Sequence, residues 1–211
     1  MTSIPVGYHG VMPLAPSSHT AASPTASRSA AASTTERLLD AFEEILVDGG
    51  ERSATLGAVA AAAGVSKGGL LYHFASKDAL IEAQLDRLVV RAAEDTENIR
   101  TAPAGAVDHL IRTSVNIGSP LDRSFIATTR LAQGRHEKAI ETLDTIRKGW
   151  LSVIEDSVGD PDTALAIMLV SDGLYGNSSL AGMPSAPAVK AEAESMDRLL
   201  TVLARLCTRT E

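Results

Sequence analysis

Aromatic side chains are scarce in this sequence: three Phe, three Tyr and one Trp make up 3% of its 211 residues. Cysteine occurs once, at Cys207, which excludes an intrachain disulfide and any multi-cysteine metal site and fits a reducing compartment. A lone thiol within an apolar helical stripe reads as core filler rather than as a reactive group. No apolar run approaches the roughly 18 residues that span a bilayer, and the start of the chain lacks the basic residues and compact apolar stretch of a signal peptide. A cytoplasmic location is therefore expected. HExxH, GxSxG and paired-cysteine signatures are missing, and the five histidines, at positions 9, 19, 73, 109 and 136, form no ligand cluster. Neither an enzyme nor a metal or cofactor site is expected. The formal net charge of −7 speaks against indiscriminate coating of nucleic acid or anionic membrane. It leaves room for a small basic face, because phosphate recognition depends on where the charges lie.

What is present is helical patterning. The 45% hydrophobic content is that of a globular protein, and nowhere does sustained period-two alternation bounded by hairpin turns suggest a sheet. Residues 1 to 32 are dominated by Ala, Ser, Thr and Pro, with Arg28 the only basic side chain, and read as a disordered arm. After Ser33, Leu38, Leu39, Phe42, Ile45 and Leu46 recur at helical spacing until "DGG" at Asp48 to Gly50 ends a first helix. Thr55 caps a short second helix, "LGAVAAAAG", which Gly64 can stop in a left-handed turn. Ser66 caps a third helix and Ser76 a long fourth. Further breaks fall near "GSPLD", "QGRH", "VGDPD" and "AGMPSAP" and leave five more helices. The fold class is all-α with about nine helices, divided into an arm (1–32), a helix-turn-helix domain (33–80) and a helical remainder (81–211).

The stretch "GVSKGGLLYHFASKDAL", Gly64 to Leu80, places two glycines where a third helix begins. Two short helices joined by a tight glycine turn match the helix-turn-helix, whose second helix enters the major groove. Gly68 and Gly69 let that helix tip approach DNA closely, at a helix cost of roughly 1 kcal/mol per glycine relative to alanine. Lys67 can reach a guanine edge or a phosphate. Tyr72, His73 and Lys77 fall where they can contact the sugar-phosphate backbone, as can the Thr55 hydroxyl. Leu70, Phe74 and Leu80 are the apolar anchors of the third helix. A phosphate loop is excluded, since Leu70 occupies its lysine position and no strand precedes it.

The segment "TLGAVAAAAGVSKGGLLYHFASKDAL" resembles the DNA-binding region of the tetracycline-repressor (TetR) family of transcriptional regulators, in which a Thr-led helix, "AGVS", an aromatic-rich "LYxxF" and "SK-acid-x-L" recur. The resemblance covers roughly residues 33 to 85. It implies that Thr55, Lys67, Tyr72, His73 and Lys77 touch DNA, and with Ser66, Gly68 and Gly69 of the helix tip these are the expected DNA-binding residues. Leu71 stands where the family often has tyrosine and Gly69 where threonine is common, which shifts weight to Lys67 and to DNA shape. Glu36, Asp40, Glu43 and Glu44 on the first helix must then face away from phosphate.

In the remainder, Val189, Ala193, Met196, Leu200, Leu203 and Cys207 form one helical stripe that needs a partner. Gly173, Gly176, Ser178 and Ser179 in the preceding helix permit close packing. Together they suggest a four-helix interface between two copies, with Gly173, Gly176, Val189, Met196, Leu200 and Leu203 in contact. A small-molecule effector is expected among Phe125, Trp150, Met168 and Tyr175, with Asn116, Arg130 and Asp172 as polar groups. The expected function is a homodimeric regulator, a repressor of a palindromic operator on double-stranded DNA released by an effector. The alternatives are a small-molecule sensor or carrier without DNA-dependent function, and a helical enzyme.

Overall fold

A computed structural model describes residues 24–115, 118–179 and 193–207. The chain divides into two compact units, residues 1–34 and 35–211. In the first, the described residues are helical and belong to the start of α1. The elements in order are α1 (Pro24–Ser53), α2 (Leu56–Ala62), α3 (Lys67–His73), α4 (Lys77–Arg100), α5 (Ala106–Thr113), α6 (Pro120–Gln133), α7 (Glu137–Val158), α8 (Pro161–Ser179) and α9 (Ala193–Cys207). No strand occurs among the described residues.

The breaks follow the local chemistry of the sequence. Gly50, at φ 70° and ψ −178°, interrupts α1 where "DGG" was expected to end it, and helical geometry resumes to Ser53. At its other end α1 begins at Pro24, upstream of the expected start. Proline preorganises a first helical residue, and the alanines of "PTASRSAAAS" favour continuation. Gly64 takes φ 67° between α2 and α3, and Gly159 takes φ 73° after α7. Ser119 accepts the Asp122 N–H at 3.0 Å, with Pro120 opening α6. The break expected at "AGMPSAP" lies outside the described residues, as does the segment 188–192 expected to begin the last helix.

Apolar positions of α1 to α4 form a first core around Leu38, Phe42, Leu46, Val59, Leu70 and Leu80, each fully shielded from water. Ala127 and Leu131 of α6 and Ala139 of α7 belong to the same core. The domain boundary expected at residues 80–81 falls inside α4, so one rigid helix of about 36 Å runs from the helix-turn-helix into the remainder. A second core gathers Ile99, Ile111, Ile154, Ile167, Met168, Met196 and Leu203 from α4, α5, α7, α8 and α9. Half-buried Cys207 packs against it.

A polar knot joins these layers. Glu43 of α1 is only 2% exposed. Its carboxylate accepts hydrogen bonds from Gln84 Nε2 at 2.9 Å, from Arg91 Nη1 at 2.9 Å and from the Ser124 hydroxyl of α6. Arg87 Nη1 stands 3.4 Å from its second oxygen. Burying a carboxylate is costly unless charge and hydrogen bonds compensate it, and here both do. Glu43→Ala takes the carboxylate from Arg91 and is expected to cost about 3–5 kcal/mol in urea denaturation. Glu44→Ala, one residue along on the exposed face, should stay within about 0.5 kcal/mol of the parent.

Candidate functional site

The tip of the helix-turn-helix is built by three side-chain caps. Thr55 Oγ1 accepts the Ala58 N–H at 3.2 Å, Ser66 Oγ accepts that of Gly69 at 3.0 Å, and Ser76 Oγ accepts that of Ala79 at 3.1 Å. Each hydroxyl acts here as an acceptor, so its own proton remains available to an external acceptor such as a phosphate. Leu70, Phe74 and Leu80 are buried as anchors. They leave Lys67, Gly68, Leu71 and Tyr72 exposed on one side of α3, with Tyr72 at 85%.

The two glycines of α3 differ. A Cβ at Gly69 would press on the Ser66 hydroxyl at 3.3 Å, so the cap itself disfavours a side chain there. A Cβ at Gly68 would meet only Ser66 Oγ, at 3.9 Å. Nothing in the chain's own packing requires Gly68, and its bare backbone is presented outward.

His73 is half-buried, and its Nδ1 lies 3.2 Å from Thr35 Oγ1 of α1. Tyr72 meets the His73 ring edge-on at 5.4 Å. His73 therefore braces α3 against α1 as well as bordering the exposed face. Lys77 is also engaged: its Nζ donates to the Glu51 carbonyl at 3.1 Å and pairs with Glu51 Oε1 at 3.5 Å. Thr35 and Glu51 were not anticipated, because contacts 38 and 26 residues apart leave no trace in local spacing. Glu36, Asp40 and Glu43 of α1 are turned onto α4, where Arg87 binds Glu36 at 2.5 Å and Asp40 at 2.6 Å. Burial alone would lower the Arg87 pKa, but these carboxylates outweigh it and raise it.

The expected effector residues separate into groups. Phe125, Trp150 and Tyr175 come together, with Phe125 centred 5.9 Å from Trp150 and 6.1 Å from Tyr175. Met168 is buried in the second core, against which Trp150 also packs. Two polar assignments are corrected. Asp172 is exposed and doubly paired with Arg147, at 2.7 and 2.6 Å, because the guanidinium fork on α7 matches a carboxylate on α8. Arg130 is exposed near the far end of α6 and lines a cleft of about 620 Å³ beside Val47 to Arg52, away from the aromatic residues. Asn116 lies outside the described residues.

The polar groups at the aromatic cluster are others. Asp122 is buried, accepts the Gly118 N–H at 2.6 Å and accepts a hydrogen bond from the Tyr175 hydroxyl. Burial and that carboxylate push the tyrosine's pKa well above its ordinary value. Asp95 of α4 is half-buried, and burial raises its pKa despite the opposing influence of His109 and the Trp150 indole. The buried indole N–H of Trp150 is turned to Asp95 but falls short of full hydrogen-bond geometry. A signal for Asp95 was present: it falls between Ala92 and Ile99 at steps of three and four, on the buried stripe of α4.

The residues expected at a dimer interface are divided between the core and the surface of this chain. Met196 and Leu203 are 6% and 2% exposed and pack with Ile111, Ile154 and Ile167 of the same chain, with Leu200 beside them. A stripe at steps of four and three says that a helix has a partner, not which chain supplies it, and here that partner is internal. The outward apolar residues are Leu165 and Leu169 on α8 and Val202 and Leu206 on α9. Gly173 is exposed and Gly176 half-exposed on α8. Val189 lies outside the described residues.

Known proteins place this geometry. The model for bacterial regulatory proteins of the tetR family matches residues 38–83, the span of the caps, the glycine turn and α3. No curated protein matches the chain. Among solved structures, NalD of Pseudomonas aeruginosa, the secondary repressor of the MexAB-OprM multidrug efflux pump, is 19% identical with a TM-score of 0.60, over 84% of this chain and 96% of that one. Salmonella enterica GusR is 21% identical with a TM-score of 0.60, over 83% and 95%. The multidrug binding protein EbrR, complexed with malachite green, is 23% identical with a TM-score of 0.60, over 82% and 96%. At these identities the likeness is one of fold, and the match over residues 38–83 adds to it a segment similar to that of bacterial regulatory proteins of the tetR family.

Proposed function

We propose that this protein is a homodimeric repressor that reads a palindromic operator with α3 and leaves it when a small molecule binds between α4, α6, α7 and α8. The observation that carries the reading is the outward surface of α3, where Tyr72 is 85% exposed beside a glycine that the protein's own packing does not need. A large amphipathic side chain held in water next to bare backbone suits a groove edge, with the ring on sugar and the hydroxyl on phosphate. Lys67 faces the same way and supplies a donor for a guanine or a phosphate. Thr55 and Ser66 add hydroxyl protons, and His73 and Lys77 complete the rim. Such a regulator acts in the cytoplasm, without catalysis, on double-stranded DNA.

So few contacts call for two copies, and the exposed row of Leu165, Leu169, Gly173 and Gly176 on α8, with Val202 and Leu206 on α9, suits an interface between them. Its glycines allow close helix approach. A second copy would set two recognition helices about 34–36 Å apart. Effector binding is assigned to Phe125, Trp150 and Tyr175, with Asp95 and the Trp150 N–H as polar groups. EbrR, of the same fold, was solved with malachite green, which supports an aromatic ligand. An effector of this kind releases DNA only through a difference in its affinity for the bound and free states.

Selection of duplexes from a random pool is expected to return an inverted repeat. Tyr72→Ala should weaken all selected duplexes about equally and leave stability within about 0.5 kcal/mol, since the side chain is exposed. Lys67→Ala should change the ranking among them; equal weakening of every duplex would remove Lys67 from base reading. Leu169→Asp should yield a folded monomer in sedimentation equilibrium, whereas the same change at buried Leu203 should unfold the chain.

The raised pKa of Asp95 means that the folded state holds this proton more tightly than the unfolded state. The parent therefore loses stability as pH rises through that pKa. Asp95→Asn should melt at a higher temperature than the parent at neutral pH, with the advantage vanishing below the ordinary aspartate range. An advantage independent of pH would refute the burial of this carboxyl.

A further inference from the structure

We infer that Glu51 is a positioning residue for DNA binding, one that holds Lys77 in reserve and reports the position of α6 to it. This rests on Lys77 being a phosphate contact. Glu51 directly follows the bend at Gly50, where α1 leaves helical geometry. It binds Lys77 twice, through its carbonyl at 3.1 Å and through Oε1 at 3.5 Å, which occupies two of the three ammonium protons. The pair is about one-third exposed on each side, so the attachment is one that water and a competing anion can loosen.

The other carboxylate oxygen faces a different helix. Gly134 caps the end of α6, and a Cβ built there would overlap Glu51 Oε2 and press on the Leu131 carbonyl at 3.2 Å. Gly134 has φ −74°, an angle that any residue adopts, so its backbone does not demand glycine. The space beside it is filled by Glu51. One carboxylate thus spans from the start of α4 to the end of α6, at the wall of the cleft lined by Val47, Arg52, Arg130 and Gln133. A small shift of α6 moves the surface against which Oε2 rests. When the carboxylate is displaced, Lys77 is left with only a neutral carbonyl and turns to the nearest phosphate. When it is seated, Lys77 is partly neutralised and DNA is held less tightly.

The test is a pair of mutant cycles, read as affinity and salt slope on a duplex that the protein has itself selected from a random pool. Glu51→Gln should tighten binding by about fivefold and steepen the slope of log K on log salt by about one contact. Both changes should vanish when Lys77→Ala is also present. Gly134→Ala should act in the same direction in the parent and have no effect beside Glu51→Gln; Gly134→Ser serves if the alanine variant does not fold. An equal gain from Glu51→Gln with and without Lys77 would mean a general loss of negative charge and would overturn the inference. A persistent effect of Gly134→Ala beside Glu51→Gln would overturn the link to α6. If Lys77→Ala alone leaves the slope unchanged, the phosphate role of Lys77 fails, and that outcome is separable from both others.

Discussion

A carboxylate almost sealed from water, on Glu43, holds α1, α4 and α6 at one point. In the interior its charge is tolerated only because Arg91, Arg87, Gln84 and Ser124 surround it, and Arg91 and Gln84 depend on it in turn. Arg91 extends the knot by donating to the Pro120 carbonyl at 2.9 Å, so the first turn of α6 is fixed to the middle of α4. Arg87 extends it the other way, gathering Glu36 and Asp40 onto α4. Apolar packing alone would let α4 slide or roll against α1 at modest cost. Directional charged hydrogen bonds penalise both motions, and they fix the angle at which α3 is presented.

The same knot resolves an electrostatic difficulty. A chain with a net charge of −7 must offer phosphate a surface that does not repel it. Of the acids on α1, Glu36, Asp40 and Glu43 are consumed by two arginines of α4, which removes both signs from circulation. What remains on the exposed side of α3 is Lys67 and groups that donate protons without carrying charge. On the proposed reading, recognition relies on close backbone approach more than on charge density, and Gly68 is where the chain's own packing leaves room for it.

Local punctuation was legible in the sequence because capping and left-handed turns are settled within four residues. Thr55, Ser66, Ser76 and Gly64 behave as their spacing requires, and the anchors Leu70, Phe74 and Leu80 follow from helical periodicity. Periodicity does not say which neighbour a stripe meets, which is why Met196 and Leu203 proved to face their own chain. Arg130 and Asp172 were polar residues near aromatic ones in sequence, yet α6 and α8 carry them away from the aromatic cluster. Asp95 and Glu43 are the opposite case: charged residues at buried positions of an otherwise apolar stripe, where an acid persists only if the fold supplies something to offset it. Long-range pairs such as Thr35 with His73 have no such local marker.

The path between the two ends of the molecule is set by α6. Its 14 residues extend about 20 Å, from Asp122 and Phe125 beside Tyr175 and Trp150 to Gly134 against Glu51. Near its start, Ser124 ties it to the Glu43 knot, and along its length Ala127 and Leu131 are sealed into the core beneath the helix-turn-helix. A helix fixed at an interior point and packed along one side cannot yield by continuous deformation, because close-packed interiors resist it. A ligand wedged between Phe125 and Trp150 must therefore either be accommodated by side chains alone or displace α6 as a unit. In the second case the far end moves too, and the residues there to feel it are those that hold the start of α4.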